Sequence, residues 1–195
     1  MKQKYISKFS DISINDIDKV GGKNASLGEM INNLSTLGIN VPDGFATTSE
    51  AYKLFIESNN IDDKIQKILN ELDLDSIKDL ANAGKAIRRL ILKATIPEEL
   101  EEQIFQAYKN LNKGSELSFA VRSSATAEDL PSASFAGQQE TYLNITGFKN
   151  LLEAMQKVYA SLYTDRAISY RAHQGFENLD VTISVGFQRM VRSDL

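Results

Sequence analysis

Two cationic side chains of this sequence stand beside small residues in a way that suits phosphate binding. The first, Lys23, follows Gly21 and Gly22 at the point where a helix is predicted to begin. Glycines permit close approach of the backbone to a ligand, and a helix N-terminus offers free N–H groups and partial positive charge. A glycine turn before a helix, with Lys23 in solvent, explains the same residues. The spacing is not that of a P-loop, which requires G-x-x-x-x-G-K-[ST].

The second cation, Arg122, stands at the end of a predicted buried strand, in which Leu117, Phe119 and Val121 alternate with polar or small residues. A buried arginine needs an anionic partner or a route to water, and its planar fork suits a bidentate phosphate contact. The alternative is a structural salt bridge to a nearby acid such as Glu128 or Asp129. These residues alone leave both interpretations open.

A long segment of small and polar residues, 128–141, follows this strand. Its composition is typical of a flexible lid, because small residues permit close backbone approach while hydroxyls and amides supply hydrogen bonds. Phe135 can act as an apolar anchor. Long loops within compact domains are often functional, although an ordinary surface loop explains the same composition.

Histidine and cysteine chemistry is strongly limited in this chain. The single histidine, His173, lies on a short predicted helix, where a structural or solvent-facing role is expected rather than catalysis. The sequence has no cysteine, which excludes disulfides, thiolate metal sites and cysteine nucleophiles. The acidic clusters at 98–102 and at Asp73 and Asp75 are typical of solvated helix faces and caps, so no metal site is predicted there.

Composition and charge are those of an ordinary soluble protein. Of the 195 residues, 42% are hydrophobic and 25% charged, and the formal net charge is -4. No basic excess indicates nucleic acid or an anionic membrane as a partner. No apolar run approaches the roughly 20 residues that span a bilayer, and residues 1–9 do not resemble a secretory signal. We therefore expect a cytoplasmic protein.

The elements that must position these groups are predicted from hydrophobic periodicity. Apolar residues at three- and four-residue steps predict a helix after Lys23, ending at Gly38, and further core-facing helices across residues 48–112. A capping box is predicted at 95–98. Two of these apolar stripes are formed by Leu27, Met30, Ile31, Leu34 and Leu37, and by Ile77, Leu80, Ala81, Ile87, Leu90 and Ile91.

Strand patterns are concentrated after Gly114, at residues 117–121, 142–145 and 181–187. The predicted fold class is therefore α+β, with a helical section near 48–112 beside a small, mostly antiparallel sheet. Residues 188–195 continue the last strand without a closing helix or polar tail, so we expect residues 1–195 to be the first part of a longer domain.

Five motifs, taken in order, resemble the phosphoenolpyruvate synthases (pyruvate, water dikinases), and the resemblance extends from about residue 16 to the end of the chain. Pyruvate phosphate dikinases and rifampicin phosphotransferases share looser versions of the same set. The motifs are residues 20–30 (VGGKNASLGEM), 41–48 (VPDGFATT), 119–144, 165–171 (DRAISYR) and 188–191 (QRMV).

The resemblance implies an ATP-grasp nucleotide-binding part of a dikinase. In this family ATP phosphorylates a histidine on a swivelling domain, and the phosphoryl group then reaches pyruvate on a Mg²⁺-dependent barrel domain. Water takes the other phosphate, giving phosphoenolpyruvate, AMP and phosphate. The metal-binding acid, the phosphorylated histidine and the pyruvate site would all lie beyond residue 195, and His173 does not match the histidine motif.

Transferred by position, the family's ATP contacts fall on eight residues of this sequence. Lys23 and Arg122 would contact the phosphates, and a glycine-containing loop would cover them. Two residues near the end of the last strand would approach the hinge that holds adenine. The loop residues are Gly137, Gln138, Gln139 and Thr141, and the hinge residues are Gln188 and Met190.

Three functions remain open at this point. The first is the ATP-binding portion of a phosphoenolpyruvate synthase, which alone completes no turnover and binds ATP weakly, because both faces of an ATP-grasp cleft are normally needed. The second is a related dikinase with another acceptor, of the rifampicin phosphotransferase type. The third is a non-catalytic, free-standing nucleotide-binding module, against which the presence of Lys23 and Arg122 argues.

Overall fold

The computed structural model describes residues 4–126, 140–173 and 181–191, and within them the fold is α+β as predicted. Five strands form one sheet in the order β1-β2-β5-β3-β4, and every neighbouring pair is antiparallel. The order itself was not predicted from the sequence. The strands are β1 (Ile6–Lys8), β2 (Gly44–Thr47), β3 (Ser118–Ala125), β4 (Thr141–Thr146) and β5 (Ile183–Arg189).

The helices fall into a first long helix, a helical section between β2 and β3, and a pair between β4 and β5. The helical section occupies the predicted range. The bounds are α1 (Ile17–Leu34), α2 (Ser49–Ser58), α3 (Asp62–Asn70), α4 (Ile77–Lys93), α5 (Glu98–Asn112), α6 (Phe148–Ser161) and α7 (Asp165–His173).

One face of the sheet carries the main core, because alternate residues of its central strands are apolar and point the same way. Phe119 and Val121 of β3 are fully buried, as are Val185 and Phe187 of β5. The ring of Phe187 stacks on that of Phe45 in β2 at a centroid distance of 4.8 Å. Helices α2, α5 and α6 pack on this face, and α4 packs on α6.

The other face of the sheet is covered by the first half of α1. A second, smaller apolar cluster lies between them. Its members are Phe9, Ile12, Val20, Ala25, Leu27 and Ala46. No residue of α1 after Gly28 is buried, so the sheet supports only the part of the helix that carries the glycine–lysine motif.

Two expectations about the helices are wrong in detail. Met30, Leu37 and Ile77 were predicted as core, but their exposed fractions are 48%, 72% and 85%, because α1 leaves the sheet after Gly28 and Ile77 is the first residue of its helix. The capping box at 95–98 is absent. Pro97 precedes α5 without a side-chain cap, while the Thr95 backbone is hydrogen bonded to the Asn59 side chain.

The contact between α1 and the segment before it depends on Gly28. A side-chain Cβ added there would lie 2.9 Å from the Ile12 carbonyl carbon, with the carbonyl oxygen closer still. Helix propensity alone predicts that Gly28→Ala stabilises the chain by about 1 kcal/mol. We expect the opposite sign, a loss of about 1–3 kcal/mol from overpacking against backbone, measured by urea unfolding.

Ser26→Ala is the matched control for this substitution, because Ser26 is exposed on the same helix. It should leave the free energy of unfolding unchanged or slightly higher. A Gly28→Ala chain that is as stable as wild type would contradict the close approach of α1 to Ile12.

Candidate functional site

Helix α1 is interrupted at Gly21, two residues before the predicted phosphate-binding lysine. Gly21 has φ 73° and ψ 160°, a conformation that is essentially restricted to glycine, between helical residues on both sides. An added Cβ would lie 2.5 Å from the Ser124 carbonyl oxygen of β3. The helix therefore restarts at Gly22, and Lys23 lies in the first turn after the break; the helical residues before the break, from Ile17 onward, were not predicted.

A buried hydrogen-bond network connects this first turn to the sheet. The Asn24 backbone N–H donates to the Ser124 hydroxyl at 3.3 Å. The Asn24 side-chain amide donates to the Ser184 hydroxyl at 2.9 Å and to the Val20 carbonyl at 3.1 Å. Ser184 in turn donates to the Thr47 carbonyl at 2.5 Å. The turn is thus fixed to β2, β3 and β5 together.

The sequence did not predict this network. The available signals were hydroxyl residues within otherwise apolar strands, namely Ser124 in β3 and Ser184 in β5, and an amide directly after Lys23. Buried polar side chains in such positions need partners, but the sequence alone does not indicate which residues they meet.

Arg122 lies within β3 rather than at its end, and it is half-buried. It pairs directly with Thr141 of β4 and with Gly186 of β5. Residues paired directly across strands point to the same face of a sheet, so Arg122 and Thr141 share a face. Ser124, two residues further along β3, points the same way and accepts the hydrogen bond from α1. The first turn of α1 therefore lies beside Arg122.

Gln188 extends the same face on β5, since it is two residues from Gly186 and pairs with Ala120. It is half-buried, and its side-chain amide donates to the Pro42 carbonyl at 3.1 Å. This bond gives Gln188 a structural contact that the sequence did not predict.

Met190 follows the end of β5 and contacts β4. Its Sδ accepts a hydrogen bond from the Asn144 N–H at 3.1 Å, and its own N–H donates to the Ser118 carbonyl at 2.9 Å. A cavity of about 730 Å³ opens at this edge of the sheet. It is lined by Glu116, Leu117, Ser118, Thr146, Arg189, Met190 and Val191.

Several predicted site features fall outside what the structure describes. Gly137, Gln138 and Gln139 lie outside the described residues, as do the acids proposed as partners of Arg122. Within residues 4–126, 140–173 and 181–191 no group of three or more histidine, aspartate or glutamate side chains is arranged to hold a metal ion. His173 is exposed at the end of α7, with Nδ1 2.6 Å from the Ser169 carbonyl.

The motif at 165–171 contains a buried cation that the sequence did not single out. Arg171 is 1% exposed, and its guanidinium lies over the Tyr163 ring at 5.4 Å. Burial lowers the pKa of Arg171 and raises that of Tyr163. The Tyr163 hydroxyl lies 3.2 Å from that of Tyr52 on α2, so this part of the motif links α7 to the main core.

No helix in the described part of the chain is long and apolar enough to cross a membrane.

The first turn of α1, Arg122 and Thr141 form one polar region on the sheet face opposite the main core. Cations and helix N–H groups in this arrangement suit an anionic, phosphate-bearing ligand.

Comparison with known proteins gives a consistent result. A family model described as pyruvate phosphate dikinase, AMP/ATP-binding domain, matches residues 17–195. Phosphoenolpyruvate synthase of Neisseria meningitidis is 53% identical over 197 positions, covering 100% of this chain and 25% of the relative. That of Escherichia coli is 53% identical (96% and 24%), and that of Aquifex aeolicus 54% (96% and 22%). The chain spans about a quarter of the length of these relatives.

Proposed function

The chain belongs to the family of pyruvate phosphate dikinase AMP/ATP-binding domains, and from this premise we propose that it supplies the ATP-binding part of a phosphoenolpyruvate synthase. The observation that carries the proposal is the placement of Lys23, in the restarted turn of α1, beside Arg122 and Thr141 on one sheet face. These are residues that the family resemblance assigns to ATP.

In this proposal Lys23 and Arg122 bind the phosphates of ATP from two sides. The N-terminal end of the restarted helix adds partial positive charge. Enzymes that transfer phosphoryl groups usually hold hydrogen-bond donors and cations in fixed positions around the phosphates. These groups stabilise the charge of the transition state without having to reorganise. Gly137, Gln138, Gln139 and Thr141 would cover the phosphates in the same scheme.

The adenine ring is proposed to bind beside the end of β5. Met190 and Val191 line the cavity at this edge, and Gln188 precedes them on the strand. The contact between the Met190 sulfur and the Asn144 N–H holds that side chain in place. An apolar thioether beside a groove suits the face of an aromatic base.

The complete reaction needs residues beyond those of this chain. In the proposed scheme ATP phosphorylates a histidine of another domain, pyruvate receives that phosphoryl group, and water takes the second phosphate. Mg²⁺ would neutralise charge on the phosphates, with its protein ligands outside residues 1–195. We propose that the reaction takes place in the cytoplasm, and we expect no phosphoenolpyruvate from the purified chain with ATP and pyruvate.

The relatives favour this acceptor over the alternatives. The three relatives described above are named phosphoenolpyruvate synthases, which favours pyruvate over a rifampicin-type acceptor. Lys23 and Arg122 are both present, which argues against a module that has lost its ligand.

A titration of the 195-residue chain with Mg-ATP, followed by amide NMR, tests the proposal. We expect weak, saturable binding that Lys23→Ala abolishes, because one of the two phosphate cations is then missing. Lys85→Ala is the matched control, since Lys85 is an exposed lysine on α4, away from this face. Absence of ATP binding, both here and in a chain extended past residue 195, would overturn the proposed function.

A further inference from the structure

We propose that Asn24 is a positioning residue that fixes the restarted turn of α1 and so orients Lys23 toward the phosphates, an inference that rests on the proposed function. Asn24 has no exposed surface, so it does not touch a ligand in solvent. Any effect on ATP must therefore pass through the residues that it holds, and the exposed Lys23 is its immediate neighbour.

The Asn24 side chain bridges the break at Gly21. Its amide donates to the Val20 carbonyl, the last residue before the break, and to the Ser184 hydroxyl on β5. The backbone N–H of Asn24 donates to Ser124 on β3. An interruption in a helix leaves backbone groups without helical partners. Here one residue, Asn24, is hydrogen bonded to the helix before the interruption and to two strands.

The sheet beneath Asn24 is shaped to receive it. An added Cβ at Gly186 of β5 would collide with Asn24 Oδ1, so the absence of a side chain at 186 makes room for the amide. The hydrogen bonds continue from Ser184 to the Thr47 carbonyl, and the Thr47 hydroxyl accepts from the Val185 N–H at 2.9 Å. The position of the turn is thus set by β5 and β2 as well as by α1.

Burial makes these contacts specific. Asn24, Thr47, Ser124 and Ser184 are each fully buried, and a buried polar group that loses its partner costs more than an exposed one. Asn24→Ala leaves the Val20 carbonyl and a lone pair of Ser184 without their donor. The turn is then free to move relative to Arg122, which remains fixed within β3.

The test compares ATP with adenosine, each measured by displacement of a fluorescent adenine nucleotide from the 195-residue chain. Adenosine lacks the phosphates that Lys23 binds in the proposed function. We expect Asn24→Ala to weaken ATP binding about 5- to 10-fold, the effect of one lost neutral hydrogen bond, and to change adenosine binding less than twofold. An equal loss for both ligands would show a general structural role and would overturn the inference.

Asn32→Ala is the matched control, because the Asn32 side chain donates to the Ile12 carbonyl at 3.1 Å on the same helix, away from Lys23. It should leave the ratio of ATP to adenosine affinity unchanged. Thermal unfolding establishes whether each variant is folded. If Asn24→Ala does not fold, Ser184→Ala decides, since it removes the acceptor of the Asn24 amide, together with the donor to the Thr47 carbonyl, and should lower the same ratio.

The outcomes separate the two proposals. Failure of the wild-type chain, and of a chain extended past residue 195, to bind ATP would overturn the proposed function. ATP binding by wild type that is equally strong in folded Asn24→Ala and Ser184→Ala chains would overturn the positioning role alone. Loss of ATP affinity in both, with adenosine affinity retained, would support it.

Discussion

Gly21→Ala is expected to lower the free energy of unfolding by about 2–6 kcal/mol. A conformation with φ 73° and ψ 160° costs a residue with a side chain about 1–3 kcal/mol. The added Cβ would also lie 2.5 Å from a backbone oxygen of Ser124, within a paired strand that has little room to move, and such overpacking costs about 1–3 kcal/mol more. Urea unfolding followed by circular dichroism measures the sum.

Gly38→Ala is the control for positive φ without a steric contact, in the left-handed helical region (ψ 8°). Gly38 also has positive φ, 77°, but an added Cβ there would meet nothing within 4 Å. Only the backbone cost of about 1–2 kcal/mol then applies. If Gly21→Ala proves no more destabilising than Gly38→Ala, the contact between the break in α1 and Ser124 is contradicted.

Arg122→Ala is expected to weaken binding of ATP by about 10- to 100-fold. A hydrogen bond to a charged group contributes about 1.5–3 kcal/mol, and Arg122 can present two N–H donors in parallel to one phosphate. Arg122→Lys keeps the charge but loses the planar fork, so an intermediate affinity is expected. Amide NMR titration with Mg-ATP follows weak dissociation constants of this kind.

Arg89→Ala provides the charge-matched control, because Arg89 is exposed on α4. It should bind ATP as wild type does. Unchanged ATP affinity in Arg122→Ala, together with a loss of thermal stability, would instead support a structural salt bridge, the second interpretation of this residue.

The secondary structure was largely predictable because periodicity is local. Stripes of apolar residues indicated the helices, and alternation indicated β3, β4 and β5. The helical stripes were wrong where the sequence pattern continued beyond the surface that supports it, at Met30, Leu37 and Ile77. Whether an apolar position is buried depends on how far the neighbouring sheet extends. The sequence of a single helix does not predict that extent.

The charged residues of the candidate site were predicted from the sequence, but the hydrogen bonds that hold them in position were not. Lys23 and Arg122 stood out because glycine, lysine and a strand-bound arginine each suggest phosphate. The hydrogen bonds that position the turn join residues 100 and 160 apart, Asn24 to Ser124 and Asn24 to Ser184. Contacts at such separations depend on strand order, which the sequence alone did not provide.

The motif at residues 20–30 therefore contains residues of two kinds. Lys23 is exposed, whereas Gly21, Asn24 and Gly28 are buried where the helix meets other backbone. The resemblance that identified the motif did not distinguish between these roles. The packing distinguishes the two kinds of residue, because each buried residue of the motif has a defined contact within the chain.

Amide chemical-shift changes on the 195-residue chain map where ATP binds. We expect Mg-ATP to shift the amides of Lys23, Arg122, Thr141 and Val191, which surround the polar sheet face and the end of β5, and to leave those of α3 and α4 in place. Shifts concentrated on α3 and α4, with none at Lys23 and Arg122, would contradict the proposed site.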